Sequence, residues 1–99
     1  MSSAFIVRYR TKPSAAEENE RLVEKVFAEL AAEDPGGLRY ATLRAGDSFL
    51  HVVVHENDDN PLPRLAAFDD FQRGIADRCV EPPQRSEVSV VGAYRMFTG

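Results

Sequence analysis

Over residues 4–10, Phe5, Val7 and Tyr9 alternate with Ala4, Ile6 and Arg8. Period-two alternation of β-branched and aromatic side chains predicts a strand, stopped by Thr11-Lys12-Pro13. The period then lengthens. Val23, Val26, Phe27, Leu30 and Ala31 recur at helical spacing, while Glu17, Glu20, Arg21, Glu24, Lys25 and Glu29 fall largely elsewhere. Ser14 and Glu17 have the S-x-x-E spacing of a capping box, so the helix is expected to open at Ser14. Glu33-Asp34-Pro35-Gly36-Gly37 ends it, because proline cannot continue the ladder and the glycines permit a reversal.

Leu38–Arg44 and Phe49–His55 read as a hairpin around Ala45-Gly46-Asp47-Ser48. With Gly46 and Asp47 as the central turn residues, Leu43 pairs with Leu50, Thr42 with His51, Ala41 with Val52 and Tyr40 with Val53. One face then carries Tyr40, Thr42, Phe49, His51, Val53 and His55. The other carries Ala41, Leu43, Leu50, Val52 and Val54. Both faces are largely apolar, as in a sheet covered on both sides.

After the polar run 56–60, Asn60-Pro61 is a cap-then-first-turn signal for a second helix. Leu65, Phe68, Phe71, Gln72, Ile75 and Cys79 gather on its broad face, with Gly74 a place for a kink or close packing. Glu81-Pro82-Pro83 is expected to end that segment. Glu87–Phe97 alternates again and predicts a long final strand. The order β-α-β-β-α-β implies a ferredoxin-like α+β fold: four antiparallel strands with two helices on one face. Two helices cover only one face. A second copy packed sheet to sheet, a homodimer, is the economical cover for the other.

Length and charge narrow the setting. At 99 residues the chain is expected to be one domain over 1–99, with a modest core. A hydrophobic fraction of 43% and a net charge of −4 exclude a disordered chain and argue against nucleic acid as a partner. No apolar run reaches the roughly 18 residues of a membrane span, and the start lacks a signal layout, so a cytoplasmic protein is expected. The single cysteine, Cys79, excludes an internal disulfide framework and a cysteine-based zinc site. No G-x-G-x-x-G, P-loop, G-x-S-x-G or H-E-x-x-H motif occurs, and no cofactor is expected.

Candidate chemistry centres on His51. It lies mid-strand between Leu50 and Val52, where an imidazole serves as a base, a ligand donor or a satisfied core group. His55 is about 13 Å further along the strand, too far to share a metal ion with it, so no metal site is expected. Asn19 lies in line with Val23, Val26 and Leu30, a carboxamide facing the sheet that must find partners there. Tyr9 and Tyr40 are strand tyrosines that either pack or place a hydroxyl in a pocket. Phe68 and Phe71 either line a ligand or fill the core. Arg78 borders the second helix's apolar face, free to hold a carboxylate or phenolate or to pair with nearby acids.

The element order, the helix Phe68-Asp69-Asp70-Phe71 through Ile75 and the closing Glu81-Pro82-Pro83 before a valine-rich strand resemble one family across nearly the whole chain. It is the antibiotic-biosynthesis-monooxygenase type of dimeric α+β barrel. That resemblance implies a pocket between sheet and helices and, among other activities, cofactor-independent oxygenation of phenols or quinols. The tryptophan that the better-understood members place in the pocket has no counterpart, since the chain has none. Two classes of function follow. In an enzyme acting on an aromatic or quinone-like molecule, His51 is the base or anion holder, Asn19 and Tyr40 orient, and Phe68 and Phe71 line the pocket. The other class is a non-catalytic homodimer that binds a small molecule or only scaffolds.

Overall fold

A computed structural model describes residues 3–96. The elements are β1 (Ser3–Thr11), a 3-10 turn (Pro13–Ala15), α1 (Ala16–Glu33), β2 (Leu38–Ala45) and β3 (Ser48–His55). A second 3-10 turn (Leu62–Arg64), α2 (Ala66–Gln72), α3 (Ile75–Arg78) and β4 (Cys79–Val88) complete them. The strands form one antiparallel sheet in the order β2-β3-β1-β4, the ferredoxin-like arrangement. The hairpin register places Thr42 opposite His51 and Leu43 opposite Leu50, as the alternation requires. Gly46 makes that turn possible, at φ 62°, where a side chain would be strained.

The helices lie on one face. Tyr9, Phe49, Val23, Val26, Leu62, Leu65 and Phe71 form the buried core there, with Phe27, Tyr40, Phe68 and Ile75 packed against it. The opposite face presents Ile6, Leu50, Val52 and Val54, all only partly covered, and Leu43, which is exposed.

Three local expectations are corrected. The capping box does not form: neither helical start has a side-chain cap. Pro13 leads the chain through a 3-10 turn, in which the Ala15 N–H reaches the Lys12 carbonyl at 2.9 Å. Glu17 is drawn instead to Arg44 on β2, at 3.1 Å. The second long helix is broken into three pieces: the Asn60-Pro61 signal opens only the 3-10 turn, Leu65 is extended, and α2 starts at Ala66 and stops at Gln72 before α3. Gly74, at φ 88°, caps α3 in the left-handed region, so the chain reverses between Gln72 and Ile75. Finally, Glu81-Pro82-Pro83 does not end an element but lies inside β4, and the strand stops at Val88. β4 is an edge strand, and its prolines sit between the Arg10–Glu81 and Arg8–Gln84 pairs, where the register slips. An edge with a bulge tolerates missing N–H donors. Val88 pairs with Ala4, close to where β1 begins, so β1 offers residues 89–96 almost nothing to pair with. Phe97, the end of the expected strand, lies outside the described residues.

Candidate functional site

Antiparallel pairing brings the polar inner-face residues together. β3 lies between β2 and β1, and His51 pairs with Thr42 on one side and Val7 on the other. Tyr9, two residues beyond Val7 on the same face, becomes its diagonal neighbour. The Tyr9 hydroxyl lies 2.8 Å from His51 Nε2. On the other side of the ring, Nδ1 lies 2.6 Å from the Tyr40 hydroxyl and 3.1 Å from that of Thr42.

From above, α1 adds Asn19, fully buried, whose Nδ2 donates to the Tyr9 hydroxyl at 2.8 Å. Asn19 Oδ1 in turn accepts from Arg78 Nε at 3.1 Å. The break at Gly74 turns Arg78 back into the protein. Its Nη2 donates to the Phe71 carbonyl at 2.6 Å, and its guanidinium stands over the Phe71 ring, 5.5 Å from the centroid. Carbonyls at the end of α2 carry the negative end of its dipoles and suit a cation. Phe71 itself packs against the imidazole, with ring centroids 5.4 Å apart, and against Tyr9 at 6.3 Å.

Burial sets the charge states. The His51 ring is 4% exposed, and burial pushes its pKa down to about 4. Burial also raises Tyr9, against the opposing effect of the Asn19 bond, and lifts Tyr40 to about 12, against a bond from Thr42. At neutral pH the imidazole and both phenols are therefore uncharged, and Arg78 is the only formal charge in the chain of hydrogen bonds.

A cleft reaches the network at Thr42. About 220 Å³ in volume, it opens between α1 and β2, walled by Val23, Phe27 and Phe49. Glu20, Glu24 and Arg44 also line it, and so does Thr42, the His51 partner. Phe27 also stacks on Tyr40 at 4.7 Å, so the apolar wall continues to the phenol. A larger hollow of about 590 Å³ is lined mainly from the opposite face, by Arg8, Arg10, Leu43, Leu50, Glu81 and Gln84.

Of the residues singled out in the sequence, His51, Asn19, Tyr40, Phe71 and Arg78 converge on this network. Phe68 is one layer out, 6.2 Å from the Phe71 ring and half-buried. Every polar atom of the Arg78 guanidinium faces protein: Nη1 lies 3.5 Å from the Arg73 carbonyl, and the other two nitrogens are bonded as above. Tyr9 and Thr42, read from the sequence as a tyrosine able to place a hydroxyl in a pocket and as the residue opposite His51, join this network, and only their roles as bridge and as contact with the cleft come from the structure. The available signal was position: once β1 lies beside β3, an inward Tyr9 and Val7 bracket His51.

No protein-family model matches the chain, and no curated protein matches it in sequence. Solved structures do match its shape. One from Bacteroides thetaiotaomicron, named "putative antibiotic biosynthesis monooxygenase", superposes with a TM-score of 0.78 at 10% identity, covering 98% of this chain and 96% of its own. One of the same name from Nitrosomonas europaea gives 0.72 at 16% identity, with 91% and 90% covered. A Mycobacterium tuberculosis protein gives 0.72 at 15% identity, with 94% and 98% covered. At such identities the likeness is one of fold. The chain has the ferredoxin-like α+β fold that these structures share.

Proposed function

We propose that the protein is a cofactor-independent monooxygenase that acts, as a homodimer, on a small aromatic or quinone-like molecule bound between sheet and helices. The observation that carries this reading is Thr42, whose side chain belongs both to the apolar cleft and to the buried His51 network. Val23, Phe27 and Phe49 offer flat apolar walls to a ring, and the network offers polar groups to its oxygen substituent. Oxygenation without a cofactor requires an electron-rich, deprotonated substrate and groups that hold its charge. The likeness of fold to proteins named antibiotic biosynthesis monooxygenases is consistent with that chemistry, as analogy.

A second reading has its own support. Both ring nitrogens of His51 already have protein partners, as in a purely structural network, and one sheet face is apolar and only partly covered. A non-catalytic homodimer that binds a small molecule or only scaffolds fits these facts.

Thermal shift against phenols, hydroquinones and quinones, followed by oxygen uptake with each hit, separates the two. A ligand at 100 times its Kd stabilises the fold by about 2.7 kcal/mol, a shift of several degrees. The enzyme reading predicts oxygen consumption with a hit and its loss in His51→Gln. Binding without oxygen uptake supports the second reading, and silence across the panel rejects the first.

A further inference from the structure

A buried guanidinium ordinarily meets a carboxylate, and Arg78 does not. Among the described residues no acidic group pairs with it. Its donors go to two carbonyls and to Asn19. This asymmetry has consequences along the whole chain of hydrogen bonds, because a guanidinium only donates.

Asn19 must turn its oxygen toward Arg78 and its NH2 toward Tyr9. The Tyr9 oxygen then accepts from Asn19, and its own hydrogen is left for His51 Nε2, 2.8 Å away. An imidazole that is neutral carries one hydrogen, so with Nε2 accepting, that hydrogen sits on Nδ1. Nδ1–H faces only hydroxyl oxygens, those of Tyr40 and Thr42. In a run of donors ending on hydroxyls, the last hydrogen always has no acceptor within the run. Thr42 is the member that lines the cleft.

We infer that Arg78 is a positioning residue acting through Asn19. It sets the direction of the chain, holds His51 as the tautomer with Nε2 bare and Nδ1 protonated, and so turns a surplus hydrogen toward an electron-rich ligand oxygen in the cleft. The inference rests on the network being the ligand site, and it deepens that reading. The site serves a ligand that arrives as an acceptor, such as a phenolate, and His51 strengthens a donated hydrogen bond rather than taking the ligand's proton.

The test is long-range proton–nitrogen correlation on the ¹⁵N-labelled full chain without ligand, with His51 assigned against His51→Gln. Wild type is expected to show a protonated Nδ1 and a bare Nε2. A protonated Nε2, or an even mixture of tautomers, overturns the inference. Asn19→Asp supplies a carboxylate that accepts from Arg78 and Tyr9 alike. The Tyr9 hydrogen then turns away from the ring, and His51 is expected to exchange its tautomer to Nε2–H. An unchanged tautomer in the folded variant shows that direction does not pass through Asn19 and overturns the inference. Arg78→Lys, still only a donor, is expected to retain the wild-type tautomer, and Arg78→Met to lose it. If the methionine variant does not fold, wild type and Asn19→Asp decide alone. None of these readouts requires ligand or turnover. A failed oxygen-uptake assay with the expected tautomers therefore rejects the oxygenase and leaves the positioning role standing, and active enzyme with the wrong tautomer does the reverse.

Discussion

The two faces of the sheet are built from the same strands, one residue out of phase, and they are opposites. The inner face is built mostly within one chain. Around His51 its polar residues are bonded to one another and its aromatics are packed, while His55 Nδ1, at the end of β3, is buried without a partner among the described residues. The outer face carries leucines and valines that are only partly covered, with the exposed Arg10–Glu81 pair toward one end and no buried hydrogen-bond network among the described residues. Alternation thus assigns the candidate chemistry to one side and leaves the other as a surface suited to a second copy. Where a residue falls in the two-residue period decides which kind of constraint it answers to.

Truncations separate the faces most sharply. Phe71→Ala, which removes the ring between His51, Tyr9 and Arg78, is expected to cost about 3–5 kcal/mol in urea unfolding. Leu43→Ala on the outer face, measured in dilute protein, should stay within about 0.5 kcal/mol. Similar costs at the two positions would break the contrast.

Acid should act through the inner face next. The folded-state pKa of His51, about 4, lies below the ordinary 6.5, so the unfolded chain takes up a proton first as pH falls. The corresponding stability is fully present above pH 6.5 and declines until about pH 4. Across that window the loss should be roughly 3 kcal/mol. Denaturation at several pH values should show this slope in wild type and not in His51→Gln.

Tyr9→Phe keeps the ring and removes the bridge, leaving Asn19 Nδ2 and His51 Nε2 buried without their partner. A cost of about 1–3 kcal/mol is expected in the same unfolding assay. The smallest change in fold stability belongs to Leu50→Lys on the outer face, within about 0.5 kcal/mol. The proposed homodimer nevertheless predicts a dimeric wild type and a monomeric variant in light scattering. A dimeric variant would place the interface elsewhere.

Much of this architecture was legible in the sequence. The hairpin register followed from Gly46-Asp47 and the alternation about them, because a one-residue slip would exchange the two faces. The stripe Val23, Val26, Phe27, Leu30 likewise placed α1 and, with it, Asn19. What escaped depends on neighbours that no local pattern names. Pro82 and Pro83 read as a break, and only the position of β4 at the sheet edge makes them tolerable in a strand. Arg78 sat at the border of a helical face under unbroken periodicity, and the left-handed Gly74 turned it inward. The Tyr9 bridge required the register between β1 and β3, strands separated by a helix and another strand.

The most direct test of the central claim, that the inner face holds the ligand site, is a titration of 1-naphthol into ¹⁵N-labelled protein followed by amide shifts. The account predicts saturable changes at Val23, Phe27, Thr42 and Phe49, which line the cleft, and at His51 behind them. Changes confined to Arg8, Leu43 and Leu50 on the opposite face, or none at millimolar ligand, would contradict it.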